Sequence, residues 1–127
     1  MLDFLNATSE EKAQPQAPLI QAKIEGDYAI FPLVGELDET HLDWLNQSVD
    51  PVLNNPQVKK LILDCTQLEF INSKIVGFLV GLHTHLSKEA RRLVIAAPNQ
   101  AVMDVIQLVG LTAIIPVVTS VEEALKI

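Results

Sequence analysis

Cysteine is almost missing from this chain: Cys65 stands alone among 127 residues. No intrachain disulfide can form and no cysteine cage for a metal is available, so a reducing cytoplasm is the expected setting. Bases are scarce too, with 9 Lys+Arg against 16 Asp+Glu, a formal net charge of −7 and an isoelectric point near 4.8. Binding a duplex by neutralising phosphates requires a clustered basic face, as does adhesion to an anionic bilayer. Nucleic acid and membrane surface are therefore excluded as expected partners. Long apolar runs are also lacking. The longest, from Ile75 to Leu82, is interrupted by Gly77 and Gly81. It falls well short of the ~18 residues that mark a membrane span, so no membrane insertion is expected. The start, Met1 to Asn6, has Asp3 where a secretory leader would have a base, and no leader is expected.

What the chain does have is apolar substance: 49% hydrophobic residues, only 20% charged ones and a mean hydropathy of +0.28. The length suits one domain able to bury roughly two-thirds of its unfolded surface, which excludes a disordered protein. Residues 1–18 differ from the rest, being polar, holding Pro15 and Pro18 and lacking periodicity. They read as a flexible N-terminal arm whose few apolar residues are Met1, Leu2, Phe4 and Leu5, and the folded domain is expected over 19–127.

From Leu19 onward, strand-like and helix-like segments alternate. Leu19 to Ile24 and Tyr28 to Val34 read as two antiparallel strands joined by a Gly26-Asp27 turn. Pro32 has no N–H to give to a ladder, so a bulge or an open side is expected there. Thr40-His41-Leu42-Asp43 has the form of a capping box, followed by Leu42, Leu45, Val49 and Val52 or Leu53 at helical spacing, with Pro51 expected to bend or shorten that helix. Val58 to Leu63, ending at Asp64, reads as a buried strand. The longest helix is expected over 73–90 with Ile75, Leu79, Leu82 and Leu86 inward. Arg92 to Ala97 reads as a strand, and Gln100 to Leu108 as a helix with Val102, Val105, Ile106 and Val109 inward and Gly110 just past its end. Ile114 to Val118 gives a last short strand, and Ser120 caps a terminal helix. This order implies an α/β fold, a mixed but mostly parallel sheet of about five strands with four helices packed on it.

The usual catalytic sets fail on spacing. His83 and His85 are two residues apart on a helix, which points them to nearly opposite faces, and His41 lies alone in a first turn. No phosphate-cradling glycine loop and no nucleophile elbow is present, so an enzyme is not expected, nor a metal or other cofactor. Cys65, just past an apolar strand, reads as a buried structural thiol. Gly77 and Gly81 suggest a helix face approached closely by another backbone. With the inward set as above, Lys74, Gly77, Phe78, Gly81 and His85 fall outside or on the flank, and Phe78 between two glycines reads either as part of a partner patch or as partly buried at the helix edge. Ser73 is placed as an N-cap, with Asn72 holding the turn before it. A phosphoryl group on Ser73 would then sit at the positive end of a helix dipole near free N–H groups. Glu36, Asp38 and Glu39 are expected at the same end of the sheet, as an acidic rim beside it.

Three stretches together resemble the STAS domain, the family of anti-sigma factor antagonists and sulfate-transporter cytoplasmic domains. Val34-Gly35-Glu36-Leu37-Asp38 is similar to the family's turn after the second strand. Leu61-Ile62-Leu63-Asp64 through Phe70-Ile71-Asn72-Ser73 is similar to its strand and phosphorylated helix start. Leu108-Val109-Gly110-Leu111 with Ile114-Ile115-Pro116-Val117 is similar to its third-helix end and last strand. The resemblance runs from Leu19 to Ile127 and implies a serine, here Ser73, phosphorylated by an anti-sigma factor that is itself a serine kinase. The unphosphorylated form would bind that partner and release a sigma factor. Asn72 stands where the family has aspartate, Lys74 where it has a small residue and Ile75 where it has glycine. The expected partner surface is Glu36, Asp38, Asn72, Ser73, Lys74 and Phe78. The family also implies a second role, as a constitutive, unphosphorylated subunit of a larger complex such as a lipid-transport ATPase assembly. Nucleotide binding, shown by some members, ranks last because nothing in the chain resembles a phosphate cradle.

Overall fold

The structure, a computed structural model, describes residues 18–127. All but the last residue of the expected arm lies outside the described residues. Five strands are formed, β1 (Lys23–Glu25), β2 (Tyr28–Leu37), β3 (Lys60–Ile71), β4 (Arg92–Ala96) and β5 (Val117–Val118). The four α-helices are α1 (Leu42–Leu53), α2 (Ser73–Ser87), α3 (Gln100–Leu108) and α4 (Val121–Lys126). The strands lie in sequence order, β1 antiparallel to β2 and every later pair parallel.

Leu61, Ile62 and Leu63 of β3 are all buried, because both sheet faces are covered at that level. On one face, Phe31 and Leu33 of β2, Leu61 and Leu63 of β3 and Leu93 and Ile95 of β4 meet α1, α2 and α3 through Leu45, Val49, Leu79, Leu82, Leu86 and Ile106. On the other, Ile62, Val94 and Ala96 meet Ala124 of the short α4, with Tyr28, Ile30, Val118 and Val121 at the margin. Ser120 starts α4 by accepting from the Glu123 amide at 3.0 Å. At its other end Lys60 Nζ donates to the Ala124 and Leu125 carbonyls at 2.8 and 3.3 Å, a cation placed on the negative end of the helix.

Several expectations shift at their boundaries. The first strand is only Lys23–Glu25. Before it, the Ile20 amide donates to Ser48 Oγ at 2.9 Å and Trp44 Nε1 to the Pro18 carbonyl at 3.0 Å, so the chain leans on α1 rather than pairing with β2. The first helix is not opened by Thr40 and Asp43. Asp38 caps a one-turn 3-10 helix, Glu39–His41, that leads into α1, with Asp38 and His41 as the reciprocal pair. Pro51 lies inside α1, which ends two residues later at Leu53. The long helix stops at Ser87, and the turn after it has Ala90 at φ 59° with the Arg91 amide donating to the Leu86 carbonyl at 2.8 Å. Val109 is 51% exposed rather than inward, because α3 has already ended at Leu108 and Gly110 reverses the chain at φ 77°. A 3-10 turn over Leu111–Ala113 takes up the following residues, which leaves β5 only two residues long.

The bulge expected at Pro32 is present. The β2–β3 register slips between Pro32 and Val34 and again between Gly35 and Glu36, β3 supplying the extra residue each time. On the main-core face the buried positions of β3 therefore run 61, 63, 65 and then 68 and 71. β1 accompanies β2 only to Ile30, and β4 accompanies β3 only to Asp64. Beyond these points β2 and β3 continue together as a two-stranded arm ending at Leu37 and Ile71. Asn99 secures the arm: its Nδ2 donates to the Leu68 and Glu69 carbonyls at 3.1 Å each, while its Oδ1 accepts from the Val102 amide at 2.8 Å and starts α3.

Candidate functional site

Because Leu37 lies beside Ile71 at the end of the arm, the turn after β2 and the start of α2 meet. In the turn, Asp38 Oδ1 accepts from the Thr40 amide at 2.9 Å and from its hydroxyl at 2.5 Å, and the Asp38 amide donates to His41 Nδ1 at 3.1 Å. The Thr40 hydroxyl, then its amide, and His41 nearby hold the Asp38 carboxyl below the ordinary aspartate range. Across the gap, Asn72 Nδ2 donates to Glu39 Oε1 at 2.7 Å. This bond joins two segments 33 residues apart in sequence.

The helix start differs from expectation by one residue. Asn72, not Ser73, is the N-cap: its Oδ1 accepts from the Lys74 and Ile75 amides at 3.1 and 3.2 Å. Ser73 is the first helical residue, exposed, and its hydroxyl makes no hydrogen bond among the described residues. The Lys74 and Ile75 amides, which a phosphoryl group on Ser73 would otherwise have found free, are thus already engaged by Asn72. What remains to attract it is the dipole of α2 and the exposed Lys74 beside it.

Glu36, Asp38, Asn72, Ser73 and Lys74 are gathered at this end of the sheet; Phe78 is not part of that surface. It is 8% exposed and packs in the main core with Ile75, Leu79, Leu82 and Leu86. Its spacing from Ile75 and Leu82 fits a wide apolar stripe, a signal present in the sequence. Among the described residues the exposed aromatic is Phe70, 44% accessible, one position before the buried Ile71 and opposite Glu36. Val34, 55% accessible, lies on the same arm. Reading β3 as ending at Asp64 hid both, since the strand runs seven residues further through its bulges.

No backbone crowds Gly77 or Gly81: nothing lies within 4 Å of where a Cβ would stand on either. They leave the outer face of α2 bare rather than marking a close approach. His83 Nε2 lies 3.5 Å from Ser87 Oγ and His85 Nε2 3.9 Å from a Glu89 carboxylate oxygen, both ordinary surface contacts. Cys65 is buried, and burial pushes its thiol up to about 12, which keeps it protonated and unreactive. No group of three or more potential ligands is placed to hold a metal among the described residues. An open cleft of about 380 Å³ lies at the ends of β4 and β5, lined in part by Gln100 and Thr119. Those side chains are bonded to Asp104 at 2.7 Å and Glu123 at 2.7 Å.

A mixed five-stranded sheet backed by helices, presenting a bonded acidic turn against an exposed helix start, defines a small α/β domain. The STAS domain family model matches residues 20–124, and the chain belongs to that family. An anti-sigma-factor antagonist (STAS) domain protein from Planctomyces limnophilus is similar in structure at 18% identity, covering 86% of this chain and 97% of that one, with a TM-score of 0.77. The anti-sigma factor antagonist SpoIIAA is similar in two states. Its unphosphorylated form matches at 20% identity over 84% of this chain and 94% of its own, TM-score 0.64. The phosphorylated form, from Bacillus, matches at 24% identity over 84% and 96%, TM-score 0.65. No described helix is long and apolar enough to cross a membrane.

Proposed function

We propose that this chain is an anti-sigma factor antagonist of the cytoplasm that binds a kinase-type anti-sigma factor at its Asp38 turn and its Asn72-Ser73-Lys74 loop, and is released when Ser73 is phosphorylated. The observation that carries the reading is the exposed hydroxyl of Ser73, unbonded among the described residues, beside an acidic turn, with capping left to Asn72. The fold relationship to SpoIIAA, which exists in both phosphorylation states, supports it. The chain would be the substrate: the Ser73 hydroxyl attacks the γ-phosphorus of the partner's ATP, its proton passes to a base on the partner, and ADP leaves. A phosphoryl group adds nearly two negative charges next to Glu39, where a packed partner would have to desolvate them. Lys74 offsets part of that charge and makes the switch weaker than one flanked by small residues.

The occupied amides of the α2 start favour the second reading, a constitutive subunit of a larger complex such as a lipid-transport ATPase assembly, since a phosphoryl group gains little there. Intact-mass measurement with site mapping on protein from its own cells, joined to capture of the anti-sigma factor by Ser73→Ala and Ser73→Asp, separates the two. A phosphate on Ser73 and at least tenfold weaker capture by Ser73→Asp are expected. Equal capture by both variants with no phosphate under any condition would overturn the switch, and co-purification with an ATPase that persists in Ser73→Asp would favour the subunit.

A further inference from the structure

The face of the sheet opposite the main helices is covered over only half its length. α4 spans six residues and shields Tyr28, Ile30, Ile62, Val94 and Val118. Beyond it, among the described residues, the paired positions Pro32 with Asp64, Val34 with Gln67 and Glu36 with Phe70 have no helix over them. Val34 and Phe70 are the large apolar side chains left exposed there. Carboxylates surround them: residues 32–39 and 64–74 hold five acids, Glu36, Asp38, Glu39, Asp64 and Glu69, against one base, Lys74.

We propose that this uncovered face of the arm, centred on Val34 and Phe70, is a docking surface for a segment of another protein that is apolar along one side and lined with Lys or Arg. The surface stands whether or not Ser73 is modified, and so goes beyond the switch. Charge selects the occupant. A second copy would set the same five acids against themselves, and residues 1–17 bring Asp3, Glu10 and Glu11 against only Lys12. The arm's edge selects the mode. The Asn99 amide occupies the Leu68 and Glu69 carbonyls, which blocks strand addition along β3, and on the β2 edge beyond Ile30 Pro32 has no N–H to pair, so the partner contacts side chains of the face. Basic residues at the rim would meet Glu36 and Glu69 while an aliphatic strip covers Phe70 and Val34, an apolar centre inside a polar ring.

The test places the photoreactive residue p-benzoylphenylalanine at position 70 of the full chain in its own cells, with the same residue at position 108 as control. Leu108, 88% exposed at the far end of α3, samples collisions unrelated to the arm. The expected product, formed at position 70 and not at 108, is a cross-link to a net-positive peptide of another protein. Cross-links to residues 1–17, to a second copy or to an acidic peptide, identical products at both positions, or none, each overturn the proposal. With the purified cross-linked protein, Val34→Ser/Phe70→Ser and Glu36→Lys/Glu69→Lys are each expected to weaken binding at least tenfold while leaving the thermal unfolding midpoint within a few degrees. Less than a threefold change in either pair sinks the surface, even where Ser73→Asp still releases the anti-sigma factor. Conversely, loss through these pairs with no effect of Ser73→Asp leaves the surface standing and removes the switch.

Discussion

Two helices of this protein open on asparagine, and the two side chains spend their amide groups differently. Both accept backbone N–H bonds through Oδ1, Asn72 at the start of α2 and Asn99 at the start of α3. Asn99 then gives its Nδ2 hydrogens to two main-chain carbonyls of β3, while Asn72 gives its own to the Glu39 carboxylate at an exposed rim. The first is a clamp between fixed parts of the backbone. The second joins two side chains that solvent, a partner or a new charge can separate. The same residue in the same local role thus serves the scaffold in one place and a displaceable contact in the other.

Removing the clamp should cost most. Asn99→Ala loses a cap and two hydrogen bonds that hold the arm, and a loss of about 2 kcal/mol is expected in urea unfolding. Hydrogen exchange should rise along β2 and β3 beyond Pro32 and Asp64; an unchanged arm would mean that Asn99 serves only α3. Asn72→Ala should cost less, about 1 kcal/mol, since its cap is exposed. A double-mutant cycle sharpens the contrast. Asn72→Asp keeps the cap but sets a carboxylate against Glu39, and adding Glu39→Gln should restore a donor and recover about 0.5 kcal/mol. Additive effects would show that the bond contributes nothing to the joint.

The smallest effect concerns the third cap, Asp38, which unlike the asparagines titrates. Its folded carboxyl is held low, mainly by the Thr40 hydroxyl, so its contribution is present above the unfolded value of about 3.9 and is lost as pH falls through the lower folded one. The stability difference between wild type and Asp38→Ala should therefore be constant from pH 7 to 5 and narrow below about pH 4. Urea melts across that range check it.

The sequence was most legible where local chemistry and packing agree. The apolar run at Leu61 to Leu63, Gly110 after α3 and Ser120 before α4 each have one favourable local arrangement, and the structure has it. It was least legible where a distant residue decides. Asn72 and Ser73 are both good caps one position apart, and the choice coincides with a bond to Glu39 that no local pattern records. The bulges that carry β3 through Gln67 and Phe70 break its alternation, so the exposed aromatic was sought at Phe78 instead. Phe78 itself is buried because α2 covers a wider stripe than Ile75, Leu79, Leu82 and Leu86.

Arg91 shows a different economy. It is buried, and its guanidinium reaches the Leu53 carbonyl at 2.8 Å, the Asn55 and Val58 carbonyls at 3.2 Å each, and the Glu89 carboxylate. The stretch between α1 and β3 has no regular structure of its own, yet two of its carbonyls, with that of Leu53 at the end of α1, meet one rigid fork. Lysine, a single point of charge on a flexible stem, could not serve them all at once. The order of a whole connecting loop is thus entrusted to one side chain that belongs to a different part of the fold.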